Sequence, residues 1–263
     1  MSNNLPYPTQ YQQFNASAPQ PYEQPPSYQP QQVYNQNESR EQKFRNIINK
    51  YEISQFFADK LQKLNMFKIV FVFDDSGSMN ATLSDSPLNT GLLKATRWDE
   101  LQYFAKISIE IANVFNENGT DVYFLNRPMA RSVCNSEQLI PYFQNKPSGY
   151  TPLAKCLNHV LSSNSEGNLG ERKLLVIIVT DGEPTDDYDE DETMDYLNNW
   201  DRVIPRLDVV DDYRNERKEI LQAQRRGFSF SFGDYVVKSL IGSIDESLDR
   251  IDEINSQGCC VIL

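Results

Sequence analysis

The 263-residue chain has no cysteine framework. Its four cysteines are Cys134 and Cys156, far apart, and Cys259 and Cys260, adjacent near the end. That spacing fits neither a disulfide scaffold nor a zinc site, so a reducing cytoplasm is the expected setting. Histidine is almost absent too. The single His159 falls mid-helix, as an ordinary packed or surface residue would, which leaves a Ser–His–Asp nucleophile little to stand on. Basic charge is scarce: 25 Lys and Arg face 37 Asp and Glu, for a net charge of -12. Without a basic patch to release counterions, nucleic acid is not an expected partner. No apolar run is long enough to span a bilayer, and mean hydropathy is -0.58. The opening Met1-Ser-Asn-Asn-Leu-Pro has neither the basic nor the apolar region of a secretory leader.

What is present changes along the chain. Residues 1–40 are built from Gln, Pro, Tyr, Asn and Ser, with only Glu23, Glu38 and Arg40 charged. Such a segment has too little aliphatic surface to offset its conformational entropy and is expected to be a disordered tail. Within it, Pro25-Pro26-Ser27-Tyr28 matches a PPxY pattern. Proline pre-sets an extended backbone that the aromatic groove of a WW domain binds at low entropic cost. Residues 41–64 become a helical lead-in, with Phe44, Ile47, Ile48, Tyr51, Ile53, Phe56, Phe57 and Leu61 at helical spacing.

The chain is organised around Ile69-Val-Phe-Val-Phe-Asp74-Asp75-Ser76-Gly77-Ser78. A short run of β-favouring apolar residues reads as a fully buried strand of a parallel sheet. Open α/β sheets place ligands where such strands end. Asp74, Ser76 and Ser78 therefore converge as oxygen donors, a set that suits a hard cation such as Mg²⁺. A strong helical stripe follows from Trp98 through Leu101, Ala105, Ser108, Ala112 and Phe115. Asn118-Gly119 stops it, and residues 121–126 form a second strand, completing a β–α–β unit. Thr151-Pro152 reads as a hydroxyl N-cap with proline at the first helical position. Residues 174–179 are the most strand-like run, and they too end in a hydroxyl and a carboxylate, Thr180 and Asp181.

Beyond Asp181 the pattern loosens. The acidic run at 186–192 lacks the glycine and terminal glutamate of an EF-hand loop and reads as a solvated loop. Helical spacing runs from Met194 to Leu221, with Pro205 breaking or kinking it. The period-two alternation of Phe228, Phe230 and Phe232 suggests a strand or an aromatic edge on the sheet. Ile244, Leu248, Ile251 and Ile254 suggest a last amphipathic helix. At the end, Cys260-Val-Ile-Leu is a CaaX box whose Leu263 points to geranylgeranyl. One prenyl chain anchors only modestly, and with no basic flank the second signal is expected at Cys259, by palmitoylation.

Asp74-x-Ser76-x-Ser78, Thr151 in Gly-Tyr-Thr-Pro, and Asp181 in Thr-Asp-Gly together resemble the metal-ion-dependent adhesion site of von Willebrand factor A domains. The resemblance covers about residues 65–185 and is closer to intracellular, copine-type A domains than to integrins. It implies an α/β, Rossmann-like fold: a doubly wound, mostly parallel sheet flanked by helices, within a domain at 65–256 and followed by a lipidated tail at 257–263. It implies that Ser76 and Ser78 ligate Mg²⁺ (or Mn²⁺), that Thr151 does so directly or through water, and that Asp74 and Asp181 hold the ion's waters. A carboxylate from a partner protein takes the remaining position. After Asp181 the alternation of helix and strand is unclear, so the last strands are expected to be missing, short, or replaced by residues 228–232. The function implied is a metal-dependent protein-binding module, not an enzyme, on a cytoplasmic membrane face through its lipid anchor. Two alternatives stay open. One is a WW-binding adaptor acting through Pro25, Pro26 and Tyr28. The other is a phosphatase-like hydrolase, given the Asp-Asp pair at a strand end, although Ser76 stands where haloacid-dehalogenase-like phosphatases carry their second acid.

Overall fold

The structure is a computed structural model that describes residues 39–164, 169–181, 185, 212–224 and 227–251. The PPSY segment, the acidic run, the helical spacing at 194–210, Ile254 and the CaaX box lie outside these residues.

Four strands form one sheet in the order β3-β2-β1-β4. They are β1 (Phe67–Phe73), β2 (Thr120–Phe124), β3 (Ala130–Val133) and β4 (Lys173–Val179). The central β1 runs parallel to β2 and to β4, and β3 is an antiparallel edge. The mostly parallel sheet expected from the buried runs is therefore present. Strand alternation splits the core in two. Ile69, Phe71 and Phe73 face one layer, which holds α3 (Arg97–Phe115). Val70 and Val72 face the other, where Leu153, Cys156 and Val160 of α5 (Leu153–Ser163) pack. Helices thus cover both faces. Burying the side chains of Val70 to Phe73 is worth about 1.5–3 kcal/mol each.

Local chemistry explains where α3 begins. Thr96 and Asp99 form a reciprocal capping box ahead of its first turn. A helical lead-in precedes the sheet: α1 (Arg40–Lys50), α2 (Gln55–Ala58) and a 3₁₀ run (Asp59–Met66). Phe57, Leu61 and Leu64 are wholly buried in the same core as β1 and α3. Between β3 and α5 lie a 3₁₀ turn at Ser136–Leu139 and α4 (Ile140–Phe143).

Among the described residues after β4 come α6 (Tyr213–Ala223), α7 (Phe232–Ile241), a 3₁₀ turn and α8 (Glu246–Asp249). Residues 228–232 do not form a strand. Ser231 caps α7 through a box with Asp234, and Phe230 packs on Phe57 and Tyr213, at 5.6 Å and 6.3 Å between ring centroids. The alternation of aromatics is the approach to a helix and half of an aromatic cluster. The last amphipathic helix expected through Ile244, Leu248, Ile251 and Ile254 does not start at Ile244, which ends a 3₁₀ turn; Asp245 caps α8 afresh, accepting from Ser247 N.

Candidate functional site

The pairing register sets the site. Phe73 lies opposite Phe124 of β2 and Val179 of β4, so the three parallel strands end level. The chain then passes from β1 to β2 by α3 on one face. It returns through α5 on the other face to β4, beyond β1. Direction reverses at β1, the kind of switch point at whose strand carboxyl ends open α/β sheets place their ligands.

The loop after β1 folds around its own carboxylate. Asp74 is 1% exposed; its Oδ1 accepts the Ser76 N–H at 2.8 Å and its Oδ2 accepts the Thr180 hydroxyl at 2.6 Å. Ser76 Oγ and Ser78 Oγ stand 2.9 Å apart. The Ser78 hydroxyl donates to Asp181 Oδ1 at 2.7 Å. The other oxygen of Asp181 meets the guanidinium of Arg97. Four of the five residues named from sequence are therefore linked directly, across 107 positions of chain from Asp74 to Asp181 (181 − 74).

Thr151 arrives by a different route. The 147–151 loop is tied to the β1 loop by Gly77 N donating to Gly149 O (3.1 Å), Ser148 N to Asp75 O (2.8 Å) and Asn80 Nδ2 to Pro147 O (2.8 Å). Gly149 has φ +102°, and a Cβ there would sit 2.6 Å from Asn126 Oδ1, so only glycine fits this approach. Thr151 is 5% exposed; its N–H donates to Thr185 Oγ1 at 2.7 Å, and Thr185 N–H returns a bond to its carbonyl at 2.9 Å. It is not the N-cap of α5. That position belongs to Pro152, and the helix opens at Leu153. The Thr-Pro signal places the turn one residue early, because the loop answers to Thr185 and to the β1 loop before the helix starts.

Three supporting residues were not foreseen. Asp75 is 0% exposed and receives Asn126 N–H at 2.7 Å on Oδ1. Its Oδ2 lies 3.0 Å from Arg127 Nε without an aligned hydrogen bond, so that contact is Coulombic. Burial pushes the Asp75 carboxyl up, against the Asn126 bonds and the Arg127 charge. Arg127 reaches on to the carbonyls of Tyr142 and Lys146 and lies over Trp98, 4.7 Å from the ring centroid. Arg97 pairs with Asp181. No local pattern announces either arginine, since each acts across a long stretch of chain. Only the doubled Asp74-Asp75 hinted that one carboxylate would turn inward.

The donors are hydroxyls and carboxylates throughout, the chemistry of a Mg²⁺ or Mn²⁺ site rather than a thiolate or imidazole one. Among the described residues no group of three or more His, Cys, Asp or Glu could hold a metal, and this cluster has only two acids. Ser76 Oγ and Ser78 Oγ are hydrogen-bonded at 2.9 Å, a spacing compatible with the edge, about 2.9 Å, of an octahedron with ligands at about 2.0–2.1 Å, so both could ligate Mg²⁺ without moving apart. The Ser78 hydroxyl proton is directed into Asp181, which leaves oxygen lone pairs for a cation. His159 rests edge-on against Tyr123 at 5.3 Å. The sites at Pro25, Pro26, Tyr28, Cys259 and Cys260 lie outside the described residues. No protein-family model, curated protein or solved structure matches the chain.

Proposed function

We propose that the chain is a metal-dependent protein-binding module of von Willebrand factor A type. Ser76 and Ser78 would hold Mg²⁺ (or Mn²⁺) directly, Thr151 directly or through water, and Asp74 and Asp181 through the ion's waters. The bound ion supplies an electrophilic position for a carboxylate of a partner protein. The observation that carries the reading is the linked oxygen chain Asp181–Ser78–Ser76, with Asp74 behind it, at the edge where β1, β2 and β4 end. Charge supports it as well. A chain of net charge -12 opposes an acidic partner, so a bridging divalent cation would be needed to draw a partner's carboxylate to the site. Tyr150, 79% exposed beside Thr151, is the kind of aromatic side chain that interfaces bury.

Calorimetric titration with Mg²⁺ tests the metal reading. Ser78 is exposed, so Ser78→Ala should keep the fold and lose at least about tenfold in affinity, one coordinating oxygen being removed. Equal heats for wild type and Ser78→Ala would sink it. Among the described residues no helix is long and apolar enough to cross a membrane. Attachment to a cytoplasmic membrane face is assigned to prenylation of Cys260, with Cys259 as the second lipid site. Cys260→Ser should then move the protein from the membrane to the soluble fraction, and an unchanged distribution would contradict the anchor.

A further inference from the structure

We infer that Arg97 is a built-in competitor of the cation, holding Asp181 while the site is empty and setting how much free metal is needed to fill it. The inference rests on the metal-binding reading of the site and concerns its regulation.

Both oxygens of Asp181 are engaged. Ser78 donates to Oδ1 and Arg97 holds Oδ2, and the carboxylate side chain is 7% exposed. The two aspartates bring two negative charges to the cluster, and the guanidinium cancels one of them. A divalent cation entering beside Ser76 and Ser78 shares Asp181 with a charge of its own sign, so the Arg97 contact must weaken as the ion binds.

The placement of Arg97 runs against its helix dipole, a small cost that the Asp181 contact offsets. It is the first residue of α3, a 19-residue helix, whose positive dipole end disfavours a cation. Its backbone has no freedom to retreat: the Thr96–Asp99 box fixes the turn, and Arg97 N–H donates to Ala81 O at 2.9 Å. Only the side chain can move, and at 40% exposure it has water to move into. Asp181 is its only ion-pair partner among the described residues. The arrangement therefore has two positions: Arg97 against Asp181 without metal, and Arg97 toward solvent or toward the partner's carboxylate with it.

Mn²⁺ titration, read by the electron paramagnetic resonance of the free ion, tests this on wild type, Arg97→Gln and Arg97→Lys, alongside thermal melting in EDTA. Arg97→Gln should bind Mn²⁺ about three- to tenfold tighter and melt lower in EDTA. Arg97→Lys keeps the charge but loses the planar fork, and should fall between the two. A folded Arg97→Gln protein that binds Mn²⁺ as wild type does, or more weakly, overturns the competitor and leaves Arg97 as a support for Asp181. Should the Gln variant not fold, Arg97→Lys decides by the same comparison. Failure of wild type and variants alike to bind Mn²⁺ removes the metal reading itself, and the competitor with it.

Discussion

At Asp75 the carboxylate is 0% exposed, and its pKa is pushed up by burial against the pull of Asn126 and Arg127. The folded state therefore binds a proton at Asp75 more tightly than the unfolded chain does. This group's contribution to stability is full below the unfolded value of about 3.9 and is lost as pH rises through the folded one. At neutral pH the charge is a burden that positioning outweighs, because Asp75 joins the loops after β1 and β2, and its carbonyl holds Ser148. Asp75→Ala should lower stability by about 1–3 kcal/mol, since it leaves the Asn126 N–H without its acceptor. Asp75→Asn keeps an acceptor for Asn126 and removes the desolvated charge, and should cost less than half as much. Urea unfolding of both variants at neutral pH checks this. Equal losses would show that the charge pair, not the Asn126 bond, holds the loops.

At the scale of elements, the lead-in and the C-terminal helices lock each other. Ser54 N–H donates to Asp234 Oδ1 at 2.8 Å, and Gly233 passes so close to Tyr51 that a Cβ would sit 2.1 Å from its carbonyl. Lys238 and Glu216 pair at 2.8 Å between α7 and α6, almost fully buried. Lys60 and Lys63 reach Asp245 at 3.2 and 2.9 Å. Burial opposes the Asp245 charge, yet bonds from Ser247, Lys63 and Lys60 outweigh it and hold the carboxyl well below the usual range. This stability is present above the unfolded value of about 3.9 and is lost as pH falls toward the folded value. The stability gap between wild type and Asp245→Asn should therefore be full above about pH 5 and shrink steadily as pH falls below about 4, followed by denaturant titration at each pH. A gap that stays constant would contradict the assignment.

The whole molecule shows which signals are local and which are not. β1 and β4 are legible through the unbroken apolar runs Ile69–Phe73 and Leu174–Val179, and α3 because Trp98 to Phe115 keeps one stripe. β3 is four residues with two of them exposed, too short to register as a period. α7 carried a legible start, Ser231-Phe-Gly-Asp234, but the period-two phenylalanines drew the reading toward a strand. The site divides in the same way. Asp74, Ser76 and Ser78 are neighbours on one turn, and Thr151 and Asp181 follow elements that end at the same edge, so their meeting follows from sheet topology. Arg97 and Arg127 are set by tertiary reach alone, and nothing beside them in sequence points to Asp181 or Asp75. Filling the site should stabilise the whole domain. At metal concentrations 100-fold above the dissociation constant the gain is about 2.7 kcal/mol, distributed through the three strands that meet there.

The account stands or falls on where the cation sits. A crystal grown with Mn²⁺ and measured at the manganese absorption edge locates it without reference to activity or partner. The prediction is one anomalous peak within about 2.3 Å of both Ser76 Oγ and Ser78 Oγ, with Asp74 and Asp181 facing it. A crystal with no peak there, or with its manganese held elsewhere, would contradict the assignment of this strand end as a metal site.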